Sequence, residues 1–176
     1  MNRKWLLMAA LAAVPLGAAA QAPYTGKTVT IVVGYKTGGG YDSIARLLAR
    51  HLPKYIPGSP NIVVQNMPGA NSMIAANHVY SVAKPDGLTM GTFNRNLPIA
   101  QLTKVSGVKF DMTKFAWVGS AASESTILAI RSDLPYKSFA ELKNAKEPVV
   151  VGATGPGANT YDFPLLLKDL LGANLK

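Results

Sequence analysis

Two glycine-rich segments are the part of the sequence best suited to hold a ligand. The first reads "KTGGGYDS" over residues 36–43, and the second reads "GATGPGANT" over residues 152–160. Each follows an apolar run and precedes a helical pattern. At such a joint the first N–H groups of the helix are unpaired, the helix dipole favours negative charge, and glycine lets a ligand approach the backbone. The two segments therefore predict two parts of an anion-binding site.

A simple turn is the alternative explanation for each segment. It accounts well for Gly155 and Gly157, which flank Pro156 in an ordinary turn sequence. It accounts less well for the run of three glycines at 38–40, because one glycine is enough for a backbone position with positive φ. The first segment is therefore the stronger candidate for ligand binding.

Two cationic residues could add side-chain contacts to an anion. Arg95 lies in "TFNRNLP" after the third predicted strand, and Lys36 opens the first glycine segment. Arg95 would point toward the same edge of the sheet as the glycines, where a guanidinium can bind a carboxylate through two hydrogen bonds. A solvated surface position is the alternative for both residues.

Enzyme and nucleotide sites receive little support. Neither glycine segment ends in Gly-Lys-Ser/Thr as a Walker loop does, and the second predicted strand ends in Gln65 and Asn66, where a dinucleotide fold needs an acid. His51 and His78 fall on separate predicted helices, and neither has a carboxylate at metal or triad spacing. No serine has the context of a nucleophile elbow. We therefore expect a binding protein without catalysis, metal or cofactor.

The segments that position the first glycines alternate between strand and helix. "KTVTIVVGY", "NIVVQN" and "LTMGTF" are apolar or β-branched and predict strands, and "SMIAANHVYSVA" predicts a helix. The segment after the first glycines predicts another helix, with Asp42 as its N-cap. Its apolar face consists of Ile44, Leu47, Leu48 and Leu52. These β-α-β steps predict a parallel sheet wound with helices.

The pattern changes after about Phe110. "FAWVGSA" and "STILAIR" predict two strands, "SFAELKNA" predicts a short helix opened by Ser138, and "EPVVVGATG" repeats the strand-to-glycine joint before the helix "DFPLLLKDLLG". We therefore predict a first α/β lobe over residues 21–110 and a second over 111–176. The second lobe is small for an α/β domain and ends where another strand should follow, so we expect it to be incomplete at its C-terminus.

The N-terminus predicts an exported protein, and the sequence contains no cysteine. Residues 1–20 contain Arg3 and Lys4, an apolar run and small residues up to Ala20, which is typical of a signal peptide cut before Gln21. The formal net charge is +9, and the basic residues are scattered without a basic run. This distribution gives little support to nucleic-acid binding and suits either an anionic ligand or a plain soluble surface.

The ordered set of segments resembles the Bug, or TctC-like, receptors of tripartite tricarboxylate transporters. The segments are the signal peptide, "VVGYKTGGGYDSIARLLARHL", "IVVQNMPGANSMIAAN", "KPDGLTMGTF" and "VVVGATGPGANT". The resemblance covers nearly all of the sequence after residue 20. Two prolines are usual in the family's first glycine loop, and here Gly34 and Thr37 stand at the matching positions. The resemblance therefore implies a less rigid loop in this chain.

The resemblance implies a two-lobed, periplasmic-binding-protein-like fold of the type II kind, here with a truncated second lobe. Such receptors are periplasmic and close on a small organic carboxylate. We expect a monomer that binds a di- or tricarboxylate, delivers it to the membrane subunits of the transporter and binds no nucleic acid. The residues expected at the ligand are Tyr35, Lys36, Thr37, Gly38, Gly39, Gly40, Asp42, Asn71, Arg95, Thr154, Gly155, Gly157, Asn159 and Thr160.

Two alternatives to a receptor stay open. An exported α/β enzyme acting on an anionic substrate would share the same glycine loops. A truncated remnant that binds nothing would share the same sequence pattern.

Overall fold

A computed structural model describes residues 22–123 and 125–176. The predicted signal peptide and its cleavage before Gln21 lie outside the described residues. The centre of the fold is a parallel sheet of three strands, β1 (Thr28–Val33), β2 (Asn61–Asn66) and β3 (Thr89–Thr92), in the order β2-β1-β3. The three strands predicted in the first part of the sequence and their parallel arrangement are confirmed.

The described residues form five α-helices, and none of these is long and apolar enough to cross a membrane. They are α1 (Gly40–His51), α2 (Met73–Ser81), α3 (Leu97–Leu102), α4 (Phe139–Lys143) and α5 (Asn159–Leu171). Helix α1 joins β1 to β2, and α2 joins β2 to β3, so the two crossovers run in opposite directions along the sheet. Right-handed crossovers would then place the two helices on opposite faces.

Two buried clusters agree with helices on both faces of the sheet. Ala45 of α1 belongs to a cluster with Val29, Ile31 and Val33 of β1 and with Ile62 of β2. The second cluster contains the α2 residues Met73 and Ala76 together with Leu97, Phe110 and Met112. The side chains on one face of β1 therefore pack under α1, while α2 packs with the segments that follow β3.

Helix α1 differs from the prediction at its start and along its face. Gly39 is the N-cap, whereas Asp42 is the third helical residue, so the predicted cap is wrong. The side chains of Ile44, Leu47 and Leu48 are 38%, 51% and 37% exposed. Three strands about 4.8 Å apart span only the width of one helix, so the sheet covers a narrow stripe of α1 rather than the whole apolar face.

The part after residue 110 has less regular structure than predicted. Segments 115–121 and 125–131 form no strand in the described structure, so both strands predicted there are wrong. Their apolar residues suit a strand, but no neighbouring strand in the described part pairs with their backbone groups. The strand predicted before the second glycines is reduced to one parallel bridge between Val149 and Leu175.

The two predicted helices of this part are confirmed. The hydroxyl of Ser138 accepts a hydrogen bond from the Glu141 N–H and caps α4 as predicted. Helix α5 begins at Asn159, within the last two residues of the second glycine segment, and ends at Leu171. The described structure is thus a small α/β unit, and the division into two lobes stays a prediction.

Candidate ligand site at the strand ends

Four loops meet at the carboxyl ends of the strands and at the start of α5. We name them the glycine loop (34–40, after β1), the asparagine turn (67–72, after β2), the Arg95 segment (93–96, after β3) and the second glycine loop (152–160, leading into α5). With the strand order β2-β1-β3, the direction of winding changes between β1 and β3. Open α/β sheets bind their ligands outside the carboxyl ends of the strands at such a change.

Asp42 supports the glycine loop from inside the protein. Its carboxylate accepts hydrogen bonds of 2.9 Å from the Gly38 N–H, from Nε of Arg46 and from Nδ2 of Asn66. The bond from Arg46, followed by those from Gly38 and Asn66, holds the pKa of Asp42 well below its usual range. Asp42 is 2% exposed, so its place is beneath the loop rather than on the open surface.

The open side of the glycine loop lies at Gly39 and Gly40. A Cβ atom added to Gly40 would meet nothing within 4 Å, and one added to Gly39 would meet only the Lys36 carbonyl oxygen, at 3.7 Å. Gly38 has φ of 89°, a conformation that favours glycine. Lys36 and Thr37 are exposed on the same loop. A ligand can therefore approach the backbone at the start of α1.

The asparagine turn holds three successive non-glycine residues in the left-handed region. The φ angles of Ala70, Asn71 and Ser72 are 45°, 50° and 76°. Such conformations are uncommon outside glycine and cluster at functional sites. Ser72 is buried against Gly34, to whose carbonyl oxygen its hydroxyl donates a hydrogen bond of 3.4 Å. A Cβ at position 34 would collide with the Ser72 side chain, so this close approach requires glycine.

Two stacked tyrosines connect the glycine loop to the Arg95 segment. The rings of Tyr35 and Tyr41 stack with their centroids 4.7 Å apart. The Tyr35 hydroxyl accepts a hydrogen bond of 2.7 Å from Nδ2 of Asn94, and the Tyr41 hydroxyl accepts one of 3.4 Å from the backbone N–H of Arg95. The loops after β1 and β3 are therefore joined across the point where the winding changes.

Side-chain amides join the second glycine loop and α5 to the other loops. Nδ2 of Asn71 donates to the carbonyl oxygen of Pro156 at 3.0 Å. Nδ2 of Asn96, a buried residue, donates to Oδ2 of Asp162 in the first turn of α5 at 2.9 Å. These contacts bring residues far apart in sequence to one edge of the molecule.

The second glycine loop turns sharply before α5. Gly155 and Gly157 have φ angles of 122° and 80°, which explains why both are glycines. The hydroxyls of Thr154 and Thr160 lie 2.8 Å apart, and Asn159 is the first residue of α5. Two hydroxyls and a helix start therefore stand together on this loop.

All of the predicted site residues except Asp42 lie in these four loops, and Asp42 lies in α1 beneath the glycine loop. Several residues that hold the loops together are not among the individual residues expected at the ligand: Tyr41, Arg46, Asn66, Asn94, Asn96 and Asp162. The asparagines were detectable in part, because polar residues directly after apolar strands reach the same sheet edge. Nothing in the sequence pattern indicates which partners they bind.

One pocket among the described residues lies elsewhere. A cavity of about 350 Å³ beside α4 is lined mainly by apolar residues, including Leu128, Phe139 and Leu167, and none of its lining residues belongs to the four loops. Polar groups that can hold an anion are found at the strand ends, so we place the candidate site there. Among the described residues, no group of three or more His, Cys, Asp or Glu side chains could hold a metal ion.

The sequence is similar to three curated proteins named UPF0065. It is 30% identical over 181 residues to the UPF0065 protein in the TAR-I ttuE-ttuC' intergenic region of Agrobacterium vitis. This alignment covers 99% of this chain and 51% of the relative. It is 30% identical over 155 residues to the UPF0065 protein in the gbd 5' region of Cupriavidus necator, covering 88% of this chain and 44% of the relative.

A UPF0065 protein of Bordetella bronchiseptica is 36% identical over 90 residues, which are 51% of this chain and 26% of the relative. No protein-family model matches the chain. The chain spans about half the length of the first two relatives. These similarities support membership of the chain in the UPF0065 group of proteins.

Proposed function

We propose that the chain is a solute-binding receptor for a small organic carboxylate, and that the four loops form its site. The observation that carries this proposal is that the asparagine turn and the Arg95 segment, at the edge where the winding of the sheet changes, are hydrogen-bonded to the second glycine loop and to the first turn of α5. Helix-start N–H groups, the hydroxyls of Thr37 and Thr160, and ordered water are suited to hold a carboxylate without a full countercharge.

Positive charge supports an anionic ligand with more than one carboxylate. The whole chain carries a formal charge of +9, which is +7 (16 basic minus 9 acidic residues) without Arg3 and Lys4 of residues 1–20, and the exposed residues Lys36 and Arg95 lie on two of the four loops. A surplus of this sign raises the local concentration of anions and their rate of association. We therefore favour di- and tricarboxylates over monocarboxylates as ligands.

The similarity to UPF0065 proteins supports the wider receptor interpretation. This group corresponds to the Bug, or TctC-like, receptors that the sequence resembles. In this proposal the chain is periplasmic after removal of residues 1–20, is a monomer, and delivers its ligand to the membrane subunits of a tripartite tricarboxylate transporter. Lobes at 21–110 and 111–176 would close on the ligand by a hinge movement. A receptor of this group needs neither catalysis nor a cofactor, which disfavours the enzyme alternative.

A thermal-shift screen of the purified chain tests this function. Aliphatic mono-, di- and tricarboxylates are compared with phosphate, sugars and amino acids. A ligand at a hundred times its Kd stabilises the folded state by about 2.7 kcal/mol, which raises the melting temperature by several degrees. We expect that rise with certain di- or tricarboxylates and not with sugars. A cooperative melting transition that no carboxylate moves would contradict the receptor function and favour the remnant.

A further inference from the structure

Asn66 makes four hydrogen bonds with one side-chain amide at the end of β2. Its Nδ2 donates to the carbonyl oxygen of Tyr35 and to Oδ1 of Asp42, both at 2.9 Å. Its Oδ1 accepts from the Thr37 hydroxyl at 3.2 Å and from Nη2 of Arg46 at 3.1 Å. This set joins three elements: the last residue of β2, the glycine loop and the first two turns of α1.

The strand register explains why this side chain reaches the glycine loop. Asn66 lies opposite Val33, the last residue of β1, in the parallel pairing. The chain leaving β1 therefore starts beside Asn66. One hydrogen bond fixes the backbone at Tyr35, and a second holds the Asp42 carboxylate that receives the Gly38 N–H.

The chemistry of these contacts requires an amide. Asp42 is an anion and the Tyr35 carbonyl is an acceptor, so the group facing them must supply two donors. Thr37 and Arg46 supply donors, so the same group must also offer an acceptor. Among side chains of this length, only asparagine combines two donors with an acceptor, whereas aspartate would set a second carboxylate against Asp42.

We propose that Asn66 is a positioning residue that fixes the course of the glycine loop from Tyr35 to Gly38. The loop is therefore already ordered when the ligand arrives. A loop that is ordered before binding loses less conformational entropy on binding, which increases affinity. The effect on affinity rests on the proposed function, whereas the effect on loop order does not depend on any ligand.

Amide hydrogen exchange in the ligand-free chain tests the effect on loop order. Asn66→Asp removes both donors, and we expect exchange of the Gly38 amide, whose N–H is bonded to Asp42, to become about tenfold faster or more. Asn77→Asp is the matched control, because Asn77 also bridges two backbone groups, the Gly107 carbonyl and the Lys109 N–H, but lies on α2. Unchanged exchange of the Gly38 amide in Asn66→Asp, or equal acceleration in the control, would overturn the proposal.

Titration with succinate and citrate tests the effect on affinity. At pH 7.5 we expect Asn66→Asp to raise Kd about tenfold or more. Two adjacent carboxylates repel each other, so the pair takes up a proton at a higher pH than a single carboxylate does. The protonated carboxyl of the variant can then donate a hydrogen bond to Asp42. The affinity of this variant should therefore recover in part at pH 5.5, relative to the wild-type chain and to Asn77→Asp. Besides Asp42, the charged group beside the new carboxyl is Arg46. Wild-type affinity at pH 7.5 would contradict the proposal.

Two further outcomes are distinguishable. If the wild-type chain binds neither succinate nor citrate, the carboxylate function fails for these probes, and loop exchange alone decides the role of Asn66. Asn66→Ala removes the amide without adding charge, and it replaces Asn66→Asp in both experiments if Asn66→Asp does not fold. If neither variant unfolds cooperatively, Asn66 determines the whole fold rather than the loop, and the proposal is wrong.

Discussion

The side-chain amide of Asn71 donates a hydrogen bond of 3.0 Å to the carbonyl oxygen of Pro156, 85 positions further along the chain. A second bond, from Asn96 to Asp162, spans 66 positions and has a length of 2.9 Å. Both bonds start from loops at the strand ends and end at or just before the first turn of α5. They are the physical reason to treat the four loops as parts of one site.

Replacing Asn71 with glycine should loosen the second glycine loop without straining the asparagine turn. Glycine adopts the left-handed conformation at this position without a steric penalty, so the variant loses mainly the side-chain bond, which stabilises by about 1 kcal/mol. Urea unfolding should show a loss of about that size, and amide exchange at 154–160 should accelerate. Asn144→Ala, which removes a side-chain bond to Ala140 at the C-terminal end of α4, should leave exchange at 154–160 unchanged. Equal exchange in both variants would show that the two loops are not coupled.

Alanine substitutions at Gly40 and at Gly34 should have different effects on the stability of the fold. Gly40→Ala meets open space at the start of α1, so stability should stay the same or rise by up to about 1 kcal/mol, while the added methyl group obstructs the ligand. Gly34→Ala collides with Ser72 and should destabilise by about 1–3 kcal/mol.

Urea midpoints and carboxylate titrations on these two variants separate folding from binding. The predicted result is reduced affinity in a stable Gly40→Ala chain. Full affinity in that variant would place the ligand away from the start of α1.

Stability should depend on pH through Asp42. Its pKa is lowered in the folded state, so the ionised carboxylate stabilises the fold above its unfolded pKa of about 3.9, and this contribution is lost as pH falls toward the lower folded value. In urea, the midpoint of the wild-type chain should exceed that of Asp42→Asn by a constant amount above about pH 6, and the difference should shrink below about pH 5.

Asp133→Asn provides the control for this pH dependence. Asp133 pairs with Arg131 on the surface, where an ion pair contributes little, so its effect should be smaller. If the midpoint difference for Asp42→Asn stays constant down to pH 2, Asp42 does not carry the stabilising charge.

Removing the cap of α4 should affect stability but not ligand binding. Ser138→Ala leaves the Glu141 N–H without its side-chain acceptor and should lower the free energy of unfolding by about 1 kcal/mol. Ser138→Asp, which keeps a cap acceptor, should restore most of that loss. A change in carboxylate affinity comparable to that of Gly40→Ala would be inconsistent with a site confined to the four loops.

The first half of the fold was predicted well from the sequence, because the apolar segments and the glycine and proline residues between them indicate the same element boundaries. β2 was predicted with the bounds that the structure has, and β1 and β3 lie within their predicted segments. The strands predicted at 115–121 and 125–131 failed, because apolar residues alone do not make a strand without a partner for its backbone. The start of α1 was misplaced because Asp42 binds the Gly38 N–H from inside the helix instead of capping it.

The candidate site was predictable as loops and not as contacts. Glycine runs after apolar strands indicated the glycine loop and the second glycine loop. The left-handed run from Ala70 to Ser72 and the four bonds of Asn66 depend on neighbours that lie far away in the sequence, so no local pattern indicates them. Tertiary contacts, rather than residue type, determine which polar side chains face a ligand and which support a loop.

Titration of the ¹⁵N-labelled chain with citrate and succinate, followed by the backbone amide resonances, tests the central claim most directly, because it reports both whether a carboxylate binds and where. The account predicts saturable shifts at Gly39, Gly40 and Thr160, with further shifts confined to the asparagine turn and the Arg95 segment. Saturable shifts centred on the cavity beside α4, or the absence of saturable shifts with either acid, would contradict it.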